Sequence, residues 1–272
     1  MKKLRLACAQ ISSGGGIREN IGKSLMFIDR AVAAFKPDII VFPESATTGF
    51  NHKMKRSEVI NAFKNPDNFL APVLAAAKTN RTYILYPSYE TAKNKKDIFN
   101  SAFLIDPKGK ISAVYRKTHL FPSERIENGG MITPGDSVCV TDTPWGRTGI
   151  MICFDGDFPV LSMKMADAGA EVILRPSAFL RSYEIWKLTN QARAFDNHVF
   201  VAGVNQCGTD PKGTLYYGNS MIVSPTGQVL AHARGIEEII CADLEPAELQ
   251  KITYGSKEKR KYDHLKDRNK NI

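Results

Sequence analysis

Two stretches of this chain read as copies of one another, and an internal duplication restricts a fold more than any overall composition does. Asn100 to Ile111 (NSAFLIDPKGKI) resembles Asn219 to Val229 (NSMIVSPTGQV). Each is an apolar strand, a turn with proline at its first corner and glycine two residues on, where a positive φ is needed, and the start of a return strand. The echo continues upstream. Asp38 to Pro43 parallels Glu171 to Pro176, each a strand stopped by proline, and Leu6-Ala7-Cys8-Ala9 parallels Ile150-Met151-Ile152-Cys153, each opening its half. The chain therefore reads as two related halves, broken near residues 125–146 and folded as one body.

Both halves are α/β. Runs rich in β-branched residues recur at 4–11, 38–42, 83–86, 102–105, 148–153, 172–174, 199–204, 221–223 and 239–242. Most are continuous rather than alternating, the pattern of strands covered by helices on at least one face. Helical periodicity lies between them. Residues 17–35 place Ile21, Leu25, Ile28 and Val32 on one stripe and stop before Pro37; 67–78 are rich in Ala and Leu; 158–168 start at Pro159 and stop at Gly169; and 183–197 place Ile185, Leu188, Ala192 and Phe195 on one apolar stripe. A duplicated α/β unit predicts two sheets face to face with helices outside, a four-layer αββα sandwich with an internal pseudo-twofold.

Charge and cysteine content narrow the function classes. Of a net charge of +9, residues 255–271 supply seven Lys/Arg against three Asp/Glu, so the excess over the body is mild and diffuse. A solvated basic tail explains this better than a nucleic-acid surface, and no nucleic-acid partner is expected. No apolar run approaches membrane-spanning length, and the start of the chain reads as a first strand, not a signal peptide. The five cysteines (8, 139, 153, 207, 241) show neither C-x-x-C pairing nor metal-ligand spacing, which points to reduced thiols and a cytoplasmic protein.

Three strand ends carry chemistry. Glu44 follows Phe42-Pro43, Lys117 follows Tyr115-Arg116, and Cys153 ends Gly149-Ile150-Met151-Ile152. Ligands collect beyond the carboxyl ends of strands in layered α/β folds, and a pseudo-twofold would bring these ends to one mouth. A thiol, a carboxylate and an ammonium group suffice for covalent acyl transfer without metal or cofactor. Asp155 and Asp157 could mimic a metal pair, but no third ligand is spaced for one, so neither a metal nor a cofactor is expected. His119 suggests a Cys/His dyad, yet no orienting Asn or Asp accompanies it in a recognisable pattern, and a structural role is expected.

The flanking strings resemble those of the nitrilase superfamily of carbon–nitrogen hydrolases. Phe42-Pro43-Glu44 with Thr48-Gly49-Phe50 is similar to its first motif, Tyr115 to Phe121 to its second, and Thr143 to Arg147 leading into Cys153 to Pro159 to its third. Arg193 to Asn197 and Gly218-Asn219-Ser220 are similar to later landmarks, so the likeness spans nearly the whole chain. It implies Cys153 as nucleophile, Glu44 as general base, and Lys117 with the Phe154 N–H as oxyanion donors. It also implies a second glutamate before Pro134-Gly135; Glu124 and Glu127 are the candidates, and Glu127 is favoured. Ser177 and Ala178, beyond a strand end, are expected beside the substrate, with Phe50, Phe154, Phe179 and Trp186 as weaker pocket candidates.

Cys153-Phe154-Asp155-Gly156-Asp157-Phe158-Pro159 and Arg175 are closest to the amidase branch, which implies hydrolysis of a small amide to an acid and ammonia through a thioester. Ser45 and Phe154 depart from the pattern of the aliphatic amidases. N-carbamoyl or nitrile hydrolysis are the alternatives, and a silent binding module is the reading of another class. The resemblance further implies one hydrolase domain over residues 1–250 and a basic arm over 251–272 at the interface of a homodimer or larger homo-oligomer, because Asp263 to Arg268 is similar to the family's C-terminal strand.

Overall fold

The computed structural model describes residues 1–250 apart from 51, 52 and 95, so the proposed arm at 251–272 lies outside the described residues. The first half runs β1 (Leu4–Gln10), α1 (Ile17–Phe35), β2 (Ile39–Val41), three helices α2 (Arg56–Ala62), α3 (Pro66–Phe69) and α4 (Ala71–Asn80), then β3 (Tyr83–Thr91), β4 (Ile98–Ile105) and β5 (Ile111–Arg116). The second runs β6 (Cys139–Thr143), β7 (Gly146–Ile150), α5 (Pro159–Asp167), β8 (Val172–Ser177), α6 (Tyr183–Asn197) and β9 (Phe200–Asn205). It closes with β10 (Cys207–Thr209), β11 (Leu215–Tyr217), β12 (Met221–Val223), β13 (Val229–His232) and β14 (Glu238–Leu244).

The duplication is visible in the topology. One six-stranded sheet has the order β14-β1-β2-β3-β4-β5 and a second β13-β12-β9-β8-β7-β6, with β10 and β11 forming a separate two-stranded ribbon. Strands β1, β2 and β3 are parallel, as are β7, β8 and β9, and each trio continues into an antiparallel hairpin, β4–β5 or β12–β13. Both hairpins slip register near the turn, at Leu104/Ile105 and at Ile222/Val223. Both turn on a left-handed glycine, Gly109 (φ 73°) and Gly227 (φ 79°). The upstream alignment needs one correction. Ile39 pairs with Leu6 and Val172 with Thr148, so Leu6 is equivalent to Thr148, not to Ile150. An offset of two keeps every side chain on its face, so an apolar run carries no signal against it.

Alternation in β1 divides the layers. Leu4, Leu6 and Cys8 face the second sheet in the main core, while Ala7 and Ala9 join Phe27, Ile28 and Ala31 of α1 and Val73 and Ala77 of α4 outside. Helices α5 and α6 cover the second sheet through Leu161, Met165, Trp186 and Ala194. The order is thus helix, sheet, sheet, helix. Helix α6 reverses expectation: Ile185, Leu188 and Phe195 are exposed, and Trp186, Asn190, Arg193, Ala194 and Asn197 are buried. Its polar stripe is needed inside. Asn190 reaches Arg175, and Arg193 reaches the carbonyl of Gly156.

Candidate active site

The three strand ends do meet. Glu44 lies past β2, and its fully buried carboxylate has all its neighbours supplied by other elements: Oε1 accepts from Lys117 Nζ (2.7 Å) and Asn100 Nδ2 (2.7 Å), and Oε2 accepts from the Ala178 N–H (2.8 Å). Its carbonyl accepts from Gln206 Nε2 at 2.6 Å. Lys117, one residue beyond β5, is also fully buried and donates to Glu124 Oε2 at 2.6 Å. Burial alone would lower the Lys117 pKa, but Glu124 and Glu44 outweigh it and hold the ammonium well above its ordinary value. Burial raises Glu124 against the opposing pull of Lys117.

Cys153 begins a short 3-10 turn after β7 with φ at 46°, a left-handed conformation that a non-glycine residue holds only when its surroundings enforce it. Two clamps do so. Arg175, on β8 and itself buried, donates to the Cys153 carbonyl through Nε (2.9 Å) and Nη2 (2.8 Å) and is fixed behind by Thr189 and Asn190. Asp155 accepts from the Ile152 N–H (2.8 Å) on one side, and from Tyr115 Oη (2.8 Å), Thr118 Oγ1 (3.1 Å) and the His119 N–H (2.8 Å) on the other. It ties the turn bearing the thiol to the loop bearing the lysine. Gly156 is required here: a Cβ would stand 2.2 Å from the Arg175 guanidinium carbon.

Burial pushes the Cys153 thiol far up, Glu44 adds to this, and Lys117, Arg175 and the Ala178 N–H oppose it. The first two effects favour the protonated form of the sulfur beside the Glu44 carboxylate. The Ala178 N–H is shared geometry, since it bonds Glu44 Oε2 and also favours the thiolate. The N–H of Phe154 has no partner among the described residues. The thiol opens into a small cleft lined by Phe50, Phe121, Phe154, Ala178, Phe179, Leu180 and Arg181.

The carbon–nitrogen hydrolase family model matches residues 5–254. This chain belongs to the carbon–nitrogen hydrolase family. It is 31% identical to omega-amidase NIT3 of Saccharomyces cerevisiae over 90% of this chain and 88% of that protein. It is also 31% identical to an (R)-stereoselective amidase of a Pseudomonas species (93% and 87% covered) and 29% identical to human omega-amidase NIT2 (93% and 92% covered). The crystal structure of yeast Nit3, a member of branch 10 of the nitrilase superfamily, superposes with a TM-score of 0.81 at 27% identity over 92% of each chain. No helix among the described residues is long and apolar enough to cross a membrane.

Within this hydrolase frame several expectations need correction. The second glutamate beside Lys117 is Glu124, not Glu127. Glu124 sits in the turn Pro122–Glu124, and its Oε2 also caps the Phe121 N–H at 2.8 Å, which turns the side chain inward; Glu127 falls in the next turn and is exposed. Ser177 is buried but points away, its hydroxyl donating to the Arg175 carbonyl, and it does not line the cleft. Trp186 lies behind the site, under Arg175 at 5.1 Å with its Nε1 on the Asn219 carbonyl. His119 stacks on Phe158 and braces Asp155 at 3.1 Å. Asn100 was legible only as the start of a repeat. It donates to both Glu44 (2.7 Å) and Glu124 (2.8 Å), and its place at the head of a copied strand, facing the mouth, was the available signal.

Proposed function

We propose that this hydrolase cleaves the amide bond of a small substrate through a thioester on Cys153, releasing ammonia and then a carboxylic acid. The observation that carries the reading is the buried Glu44 carboxylate held between Lys117 and the Ala178 N–H, the same N–H that bears on the Cys153 sulfur. Amide hydrolysis is the activity in the names of the yeast, human and Pseudomonas relatives.

Each step follows from proton inventory. The raised thiol is no free nucleophile, so its proton passes to Glu44 as sulfur attacks the amide carbon. The ammonium of Lys117 has three protons; two are spent on Glu44 and Glu124, leaving one for the oxyanion, and the free Phe154 N–H is the second donor. Collapse breaks the C–N bond while the Glu44 carboxyl protonates the departing nitrogen. Water then gives its proton to Glu44 and its oxygen to the thioester, the C–S bond breaks, and the thiol is restored. Glu124 keeps Lys117 charged and aimed throughout.

Residues 1–250 form the hydrolase unit in this reading, acting in the cytoplasm. The exposed apolar stripe Ile185, Leu188 and Phe195 on α6, with Val160 on α5, supports self-association through this outer layer, to which the arm at 251–272 would add. Ammonia release from a panel of small amides, carbamoyl compounds and nitriles tests the activity. Turnover of amides by the wild type and none by Cys153→Ala is the expected result; no ammonia from any amide would refute it.

A further inference from the structure

The cleft is apolar except at one point. Phe154 meets Phe121 edge-on at 5.4 Å, Phe121 meets Phe50 at 6.4 Å, and Phe179 closes the far side. Arg181 is the one cation among the described lining residues, its guanidinium lying over Phe179 (4.7 Å) and Phe154 (5.6 Å). That charge is already spent, because Arg181 Nη2 pairs closely with Asp157 Oδ2. Asp157 also stands 3.7 Å from Arg175 Nη2, and its buried Oδ1 has no hydrogen bond of its own.

We propose that Asp157 sets the selectivity of the acyl pocket: by pairing with Arg181 it leaves the cleft electrically neutral, so uncharged acyl groups are taken in preference to carboxylate-bearing ones. This rests on the amidase reading above. A substrate carboxylate faces two penalties. If it displaces Asp157 from Arg181, it leaves a largely buried carboxylate whose closest remaining cation, Arg175 at 3.7 Å, is committed to the Cys153 carbonyl. If it does not, it is desolvated among phenylalanine rings beside a like charge. An uncharged group meets neither, and gains the ring surfaces. Asp157 therefore works by repulsion as much as by attraction, the usual means of rejecting a near-isostere.

Succinamate and levulinamide test this, since they differ only in a carboxylate oxygen replaced by methyl. The wild type should favour levulinamide in kcat/KM by at least about ten-fold. Asp157→Asn, which removes the countercharge of Arg181, should move the ratio toward succinamate by at least about ten-fold, mainly through KM. Adding Arg181→Met to that variant should restore the wild-type preference, which a merely structural role for the pair would not do. Ligand-observed NMR of the same two compounds with Cys153→Ala gives the preference without turnover, so absence of ammonia release would refute the amidase reading while the binding ratio still decides the selectivity. A wild type that prefers succinamate, or an Asp157→Asn ratio unchanged within about two-fold, would overturn the proposal; should Asp157→Asn not fold, Arg181→Met alone must weaken succinamate more than levulinamide.

Discussion

Replacing Glu124 by Gln, with Glu127→Gln as its partner experiment, separates two carboxylates only three residues apart. Glu124 accepts from Lys117 Nζ (2.6 Å), the Phe121 N–H (2.8 Å) and Asn100 Nδ2 (2.8 Å), all in the interior. A glutamine can keep its oxygen on Lys117 and Phe121, but its NH2 then faces the NH2 of Asn100. Asn100 cannot simply turn over, because its Nδ2 also donates to Glu44 and its oxygen would then point at that carboxylate. The variant thus loses at least the charge-assisted bond from Asn100, worth about 1.5–3 kcal/mol. If that loss falls on the placement of Lys117 in the transition state, kcat drops by about 10–150-fold. Glu127 is exposed, and surface substitutions of that kind stay within about 0.5 kcal/mol, or about two-fold. Steady-state ammonia release with far-UV melting as a folding control reads both. Equal losses from the two variants, or a larger one from Glu127→Gln, would refute the assignment.

Other consequences follow from the same contacts. Gly156→Ala should push Arg175 off the Cys153 carbonyl and cost about 1–3 kcal/mol of stability, measured by chemical denaturation; an unchanged midpoint would show that the guanidinium has room. If the chain self-associates as proposed, Leu188→Glu on the outer face of α6 should lower the mass in solution without lowering the melting temperature, and an unaltered mass would refute a role for that face. The raised pKa of Lys117 has a definite sign: its contribution to the stability difference between wild type and Lys117→Met should persist up to the ordinary lysine value of 10.5 and be lost only above it. A difference that already shrinks between about pH 7 and 10 would contradict a buried, doubly paired ammonium.

Sequence made the architecture legible where physics leaves a local signature. The hairpins at 100–111 and 219–229 share a turn that demands proline and glycine, so their equivalence could be read from residue types, and the convergence of Glu44, Lys117 and Cys153 followed from it. Where burial was decided by a partner, the reading failed. The apolar stripe of α6 looks inward by periodicity, yet Arg175 beneath the Cys153 turn needs Asn190, and Gly156 offers its carbonyl to Arg193, so the polar stripe won. Glu124 and Glu127 were indistinguishable by composition; a single cap on the Phe121 N–H separates them. The two-residue offset between β1 and β7 was invisible for a related reason, since side chains alternate with period two.

The central claim is that Cys153 carries the acyl group. Rapid-quench intact mass spectrometry during turnover of a small amide, followed by peptide mapping, tests it most directly. The account predicts a mass gain equal to the acyl group on the peptide holding Cys153, with Cys8, Cys139, Cys207 and Cys241 unmodified. An acyl adduct on any of those four, or ammonia release that survives Cys153→Ala, would contradict it.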